Sequence, residues 1–226
     1  MDIPVEVARA VSPRGEVVLQ SRPAADPTRA PSLELRVNGV FVMDTVETTS
    51  ERLLAQAALE VVDTPGRVLV GGLGLGFTAR EVLADPRVER LDVVEIEPAL
   101  VAWMGDGTVP HGPALLADPR LAVVEADVAV ALAEAPDASY DLVLLDVDNG
   151  PDNLVLDINA PLYAAPALSD VRRTLAPGGV VVVWSATRSP ALEDALRSVF
   201  GDAEARAVAA PGHGRVGDYW LHLAHR

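Results

Sequence analysis

The chain of 226 residues carries 33 acidic and 18 basic side chains for a net charge of −15, and half of it is hydrophobic while only 4% is aromatic. That length suits one large domain, or one domain with a small appendage, around a core of Val, Leu and Ala, as in a buried parallel sheet flanked by helices. The acidity argues against nucleic acid as partner, the lack of cysteine excludes disulfides and thiolate chemistry, and the lack of lysine excludes a phosphate-loop or Schiff-base lysine.

Met1–Ala10 carries acids and no apolar segment, so no targeting signal is read there. No apolar run reaches the ~18–20 residues that span a bilayer. The expectation is a cytoplasmic protein with no membrane partner.

The chain then offers two alternating apolar runs, Glu16–Gln20 and Leu33–Met43, separated by a loop that Pro23, Pro27 and Pro31 mark. Asn38-Gly39 is a turn signal inside the second run. A helix capped by Thr49 or Ser50 is predicted to reach about Val62, with Leu53, Leu54, Ala57, Ala58 and Val61 on one face. Residues 1–62 therefore read as a small β-hairpin and helix element, and residues 63–226 as a separate Rossmann-like domain.

Beyond Thr64-Pro65-Gly66 the pattern becomes strand–helix alternation. Strands are predicted at Arg67–Val70, Leu91–Ile96, Leu121–Glu125, Tyr140–Val147 and Val180–Trp184. Helices are expected over Thr78–Ala84, from Pro98, and over Val128–Ala135, Ala165–Leu175 and Pro190–Phe200. Pro177-Gly178-Gly179 is expected to end the fourth of these helices. Two closing strands, Ala203–Ala209 and Asp218–Ala224, are joined by a Gly-rich turn containing His213, which reads as a solvent loop with a lesser possibility of covering a substrate. The fold class is thus α/β: a mainly parallel seven-stranded sheet with an antiparallel last strand and right-handed crossovers.

Ligands of such sheets lie beyond the carboxyl ends of the strands. The first strand leads into Gly71-Gly72-Leu73-Gly74-Leu75-Gly76, where Gly72, Gly74 and Gly76 let the backbone turn tightly and approach a ligand. A dinucleotide fingerprint starting at Gly72 requires glycine at 77, where Phe77 stands, so the spacing is closer to an S-adenosylmethionine site. The second strand delivers Glu95, with Glu97 two residues on, to chelate ribose hydroxyls. The third delivers Asp127, which can accept from an adenine amino group or cap the helix at Val128. Ile96 and Val128, beside these acids, and Asp146 at the end of the fourth strand complete the expected cofactor contacts. The fourth strand delivers Asp146, then Asp148 and Asn149; a carboxylate there can pair with a substrate amine, orient it and take its proton. Asp148, Asn149 and Tyr163 are the candidate substrate contacts. The four histidines show no metal-ligand spacing, and Trp103, Trp184 and Trp220 read as core filling.

The segments GGLGLG, VVEIEPALV, DPRLAVVEADV, LLDVDNGP and LAPGGVVVVW, with NGVFVMDT before them, resemble the spermidine synthase (polyamine aminopropyltransferase) branch of the class I methyltransferase fold. The resemblance implies that Glu95 holds ribose, Asp127 the adenine end, and that Asp146 activates the amine. It also implies a homodimer. Three departures stand out: Leu75 where the family carries an acid in the glycine loop, Asn149 in place of a second acid, and Val42 and Glu51 in place of channel-lining Gln and Tyr. Each lost charge-assisted bond is worth ~1.5–3 kcal/mol. The resulting expectation is an S-adenosylmethionine-dependent transferase, foremost a methyltransferase acting on a small amine-containing molecule. The alternatives are aminopropyl transfer from decarboxylated S-adenosylmethionine and a noncatalytic nucleoside-binding protein.

Overall fold

A computed structural model describes residues 4–24, 28, 30–209 and 218–226. His213 and the turn around it lie outside the described residues.

The N-terminal part is a four-stranded antiparallel meander of β1 (Val5–Ser12), β2 (Gly15–Arg22), β3 (Ser32–Val37) and β4 (Val40–Asp44). The sequence pattern reveals β2, β3 and β4, with Asn38 and Gly39 at positive φ in the predicted turn. It does not reveal β1, an edge strand whose Val5, Val7 and Val11 stay exposed, so no buried alternation marks it. Helix α1 (Thr49–Glu60) follows, with Thr48 rather than Thr49 or Ser50 at its N-cap. Its inward face is Glu51, Leu54, Ala55, Ala58 and Leu59, rotated from the expected one. The reason is that this face meets α2 (Phe77–Ala84) and the ends of β8 (Tyr140–Leu145) and β9 (Leu175–Ser185).

Between these, β5 (Arg67–Gly71), β6 (Arg90–Glu95) and β7 (Leu121–Glu125) alternate with α2, α3 (Pro98–Gly105) and the short α4 (Gly112–Leu116), which the sequence reading left out. Helix α5 (Val128–Glu134) leads to β8, and α6 (Ala165–Thr174) to β9. Helix α7 (Pro190–Phe200) precedes β10 (Glu204–Ala209) and β11 (Asp218–His225). Strand β9 starts at Leu175, not Val180: α6 ends at Thr174, and the Pro177-Gly178-Gly179 segment lies within the strand instead of closing the helix.

The main sheet has seven strands in the order β10-β11-β9-β8-β5-β6-β7. The five strands from β9 to β7 run parallel, while β11 is antiparallel to β9. Alternation along each strand splits the core into two layers. Val68, Val70, Leu142, Leu144, Val180 and Val182 face one side, together with α1, α2, α3 and residues Val17, Leu19, Leu35 and Met43 of the N-terminal sheet. Leu69, Val143, Leu145, Val181 and Val183 face the other, against α5, α6 and α7.

Chain order reverses between β8 and β5, because β5, β6 and β7 are laid outward one way and β8 and β9 the other. The crevice left there is the favoured ligand position of an open α/β sheet. Register brings the strand ends level: Gly71 pairs with Leu145 and with Val94, and Glu95 with Glu125. Gly72, Asp146, Ile96 and Asp127 therefore emerge side by side.

Candidate active site

The turn after β5 holds Gly72, Gly74 and Gly76 at φ of 97°, 50° and 82°. At Gly72 the requirement is also steric, since a Cβ would stand 2.3 Å from the carbonyl oxygen of Asp146. The two turns are stitched together: the Asp146 amide donates to Gly71 O at 2.9 Å and the Gly72 amide to Val94 O at 2.8 Å. Gly74 lies against Met43 of β4, whose sulfur accepts from the Leu75 amide at 3.2 Å. Gly76 opens α2 but packs toward Leu115 and Met104, so among the three glycines it is the one away from the ligand space.

Two cavities flank this turn. The smaller, about 130 Å³, is lined by Gly72, Gly74, Glu95, Ile96, Asp127 and Val128, among others. The larger, about 480 Å³, is walled by Phe41, Val42, Phe77, Trp184 and Tyr219 and by the acids Glu47 and Glu51. Val42, Gly74, Asp146 and Asp148 line both. The aromatic walls, Trp184 among them, are side chains that the sequence reading assigned to the core or passed over.

Glu95 is buried, and its carboxylate accepts the amides of Leu73 at 2.9 Å and Glu97 at 2.8 Å. Burial still holds its pKa above the ordinary carboxylate range. Glu97 takes a different role: its carboxylate accepts from Arg14 Nε at 2.5 Å and Ser12 Oγ at 3.1 Å, tying the β1–β2 turn to the end of β6. Asp127 serves one of the alternatives read from the sequence while lining the cavity, because its Oδ1 caps α5 by accepting from the Ala129 amide at 2.8 Å.

Asp146 sits between the cavities. Thr78 Oγ1 donates to its Oδ2 at 2.5 Å, and enclosure by protein pushes its pKa up to about 6 despite that bond. Asp148 has φ of 63°, and its carboxylate accepts from the Asn149, Val155 and Leu156 amides and from Asn159 Nδ2. Asp148 thus holds the loop after β8 in shape while also lining both cavities. Asn149 lines the larger cavity, and its carbonyl accepts from the Ala186 amide at 3.1 Å. Tyr163, the other expected substrate contact, is buried, donates its hydroxyl to Val147 O at 2.5 Å and lines neither cavity.

The residue that sequence reasoning placed only as a departure from the family is Glu51. It lies on the buried face of α1, where Ser50 Oγ donates to its Oε2 at 2.7 Å. Burial first, and the charge of Asp146 second, push its pKa up to about 7. Its spacing from Leu54, Ala55 and Ala58 was the available signal, since a glutamate three and four residues before small apolar positions shares their face. Among the described residues no group of three or more His, Cys, Asp or Glu is placed to hold a metal ion.

Sheet order, two-faced core and the crevice at the switch point make this a Rossmann-like α/β protein with a separate antiparallel N-terminal sheet. Within that class the chain belongs to the spermine/spermidine synthase family, whose domain model matches residues 47–200. It is 32% identical over 129 residues to putrescine N-methyltransferase 3 of Nicotiana tabacum, covering 57% of this chain and 32% of that protein. It is 31% identical over 176 residues to polyamine aminopropyltransferase 2 of Pseudomonas aeruginosa, covering 73% of this chain and 48% of that one. The chain thus spans between a third and a half of the length of these relatives. The spermidine synthase of Thermotoga maritima superposes with a TM-score of 0.79 at 17% identity, over 98% of this chain and 72% of that one. A spermidine synthase in complex with the transition-state analogue AdoDATO gives 0.80 at 17% identity, over 98% and 73%. At that identity these two structures speak for the fold.

Proposed function

We propose that this protein transfers an alkyl group, foremost methyl, from S-adenosylmethionine to the nitrogen of a small amine. The observation that carries the reading is the meeting of two cavities at Asp146. The smaller fits the nucleoside, with Glu95 toward the ribose hydroxyls and Asp127 toward the adenine end. The larger fits the acceptor. Asp146 then stands beside the sulfonium-bound carbon and pairs with the incoming ammonium. Catalysis is mostly positioning: the nitrogen is held in line with the carbon–sulfur bond, in a site sheltered from water. Relatives named for methyl transfer to putrescine and for aminopropyl transfer both support an amine acceptor.

Methyl transfer is preferred because the glycine turn presents Leu73 and Leu75, with no acid to hold the free amine of a decarboxylated cofactor. Aminopropyl transfer is the second reading, and the acidic wall of Glu47 and Glu51 near Gly74 favours it. The proposal extends to a cytoplasmic homodimer, with the open edge strand β1 and its exposed Val5 and Val11 as a pairing surface. Light scattering on the purified protein checks the dimer.

Incubation with S-adenosylmethionine or its decarboxylated form and a panel of primary amines, putrescine first, followed by mass spectrometry, tests the reaction. A mass gain of one methyl group on an amine supports the leading reading and an aminopropyl gain the second. Nucleoside binding with no transfer across the panel would leave a noncatalytic nucleoside-binding protein.

A further inference from the structure

Buried carboxylates in this molecule are, as a rule, paired. Glu34 lies between Arg22 and Arg36, Asp92 meets Arg90, Glu97 meets Arg14 and Glu193 meets Arg188. Asp44 accepts the amides of Val46 and Glu47. Glu51 and Asp146 break the rule. Glu95, like Asp44, is held by two amides, whereas Asp146 has the Thr78 hydroxyl and Glu51 the Ser50 hydroxyl and its own amide. The charges acting on Glu51 are those of Asp146 and Glu47, both negative. Among the described residues no basic side chain lines the larger cavity; the titratable groups that face it there are Glu47, Glu51, Asp146, Asp148 and Tyr219. Enclosed acids of like charge without a cation are costly unless one is protonated or a cation arrives with the ligand.

We propose that Glu51 is a second catalytic carboxylate, which receives the acceptor's ammonium together with Asp146 and takes the proton that the nitrogen must lose before it attacks. This rests on the transferase reading above. Location divides the two roles. Asp146 lines both cavities, is fixed by Thr78 and by its own amide on Gly71, and so holds the nitrogen against the sulfonium-bound carbon. Glu51 lines the larger cavity and not the smaller one. An N–H bond of the ammonium breaks and its proton passes to the Glu51 carboxylate. The freed lone pair then forms the carbon–nitrogen bond as the carbon–sulfur bond breaks, its electron pair going to sulfur. The products are a neutral thioether nucleoside and an alkylated ammonium, so the positive charge moves from sulfur to nitrogen. Glu47, in the loop that leads into α1 and partly exposed, lines the same cavity and gives the proton a route to solvent.

The test compares wild type with Glu51→Gln and Glu51→Asp in kcat/KM for S-adenosylmethionine and the best amine of the panel, from pH 6 to pH 10. A general base contributes roughly 100- to 10,000-fold. Glu51→Gln is therefore expected to lose on the order of 100-fold or more near pH 7. The gap should close as pH approaches the pKa of the amine, because free amine then arrives without needing a base. Glu51→Asp keeps part of the rate. Calorimetric affinity for S-adenosylmethionine should be the same in all three proteins, which shows that the variants fold. Parallel pH profiles, or a Glu51→Gln enzyme as fast as wild type, would overturn the assignment of Glu51 while leaving the transferase reading intact. A wild-type protein that binds S-adenosylmethionine but transfers to no amine overturns both.

Discussion

Replacing Glu51 by glutamine removes a charge that the fold encloses without a cationic partner among the described residues, and the effect on stability follows from its environment. The carboxyl is pushed from 4.5 up to about 7, so ionising it inside the fold is about 3 kcal/mol harder than in the unfolded chain. The sign follows from linkage. A raised native pKa means that the folded state binds the proton more tightly. That contribution is complete below pH 4.5 and is lost as pH rises through 7. Glutamine stays neutral throughout, so variant and wild type should agree within ~1 kcal/mol near pH 4.5. At pH 8.5 Glu51→Gln should be more stable by ~3 kcal/mol, or roughly 6–12 °C in Tm for a chain of this size. Thermal and urea unfolding of the ligand-free proteins at both pH values measures the difference. Because the charge of Asp146 is the second cause of the shift, the same comparison in an Asp146→Asn background should give a smaller gap. An unchanged difference between the two pH values, or a variant less stable at pH 8.5, would refute the account of Glu51 as an unpaired buried acid.

Other consequences can be checked separately. Asp146→Asn should abolish transfer, seen by mass spectrometry, while affinity for S-adenosylmethionine stays within a few-fold. Thr78→Val removes the one bond that lowers the Asp146 pKa, so the acid limb of the rate–pH profile should move to higher pH. Gly72→Ala forces a Cβ onto the Asp146 carbonyl at a φ suited to glycine and should destabilise by ~1–3 kcal/mol, with loss of nucleoside affinity by calorimetry. Asp148→Ala strips four hydrogen bonds from the loop after β8, which hydrogen exchange over residues 148–159 should report as faster opening, with KM raised more than kcat falls.

The Rossmann-like sheet was legible because each strand announces itself twice, by a Val/Leu run and by the turn or helix that follows. Val128 and Pro190 begin their helices where the Asp127 and Ser189 caps place them. The placement of Gly72, Glu95 and Asp127 was legible for the same reason: each ends a strand or follows one within two residues, so register brings them to one end of the sheet. The acceptor side depends on distant packing. Glu51 looks like an ordinary acid in the first turn of a helix, where the helix dipole favours one. Its place in the wall of the larger cavity follows only once α1 is laid against α2, β8 and β9. Asp148 and Asn149 read as equivalent polar residues until the loop is built, when one carboxylate turns inward to four donors. Tyr163 follows the same loop in sequence, yet a 3-10 helix over Asp157–Tyr163 carries it into the core, where its hydroxyl meets Val147 O. Strand β1 was missed because its valines Val5, Val7 and Val11 stay exposed and only the small Ala8 and Ala10 pack on the core.

The central claim is that the crevice between β5 and β8 holds a sulfonium nucleoside beside Asp146. Calorimetric titration of the purified chain with S-adenosylmethionine, its decarboxylated form, methylthioadenosine and NAD tests it most directly. The account predicts saturable binding of the sulfur nucleosides, weakened on Glu95→Ala, and no binding of NAD. Binding of NAD in preference to them, or of none of the sulfur nucleosides, would contradict it.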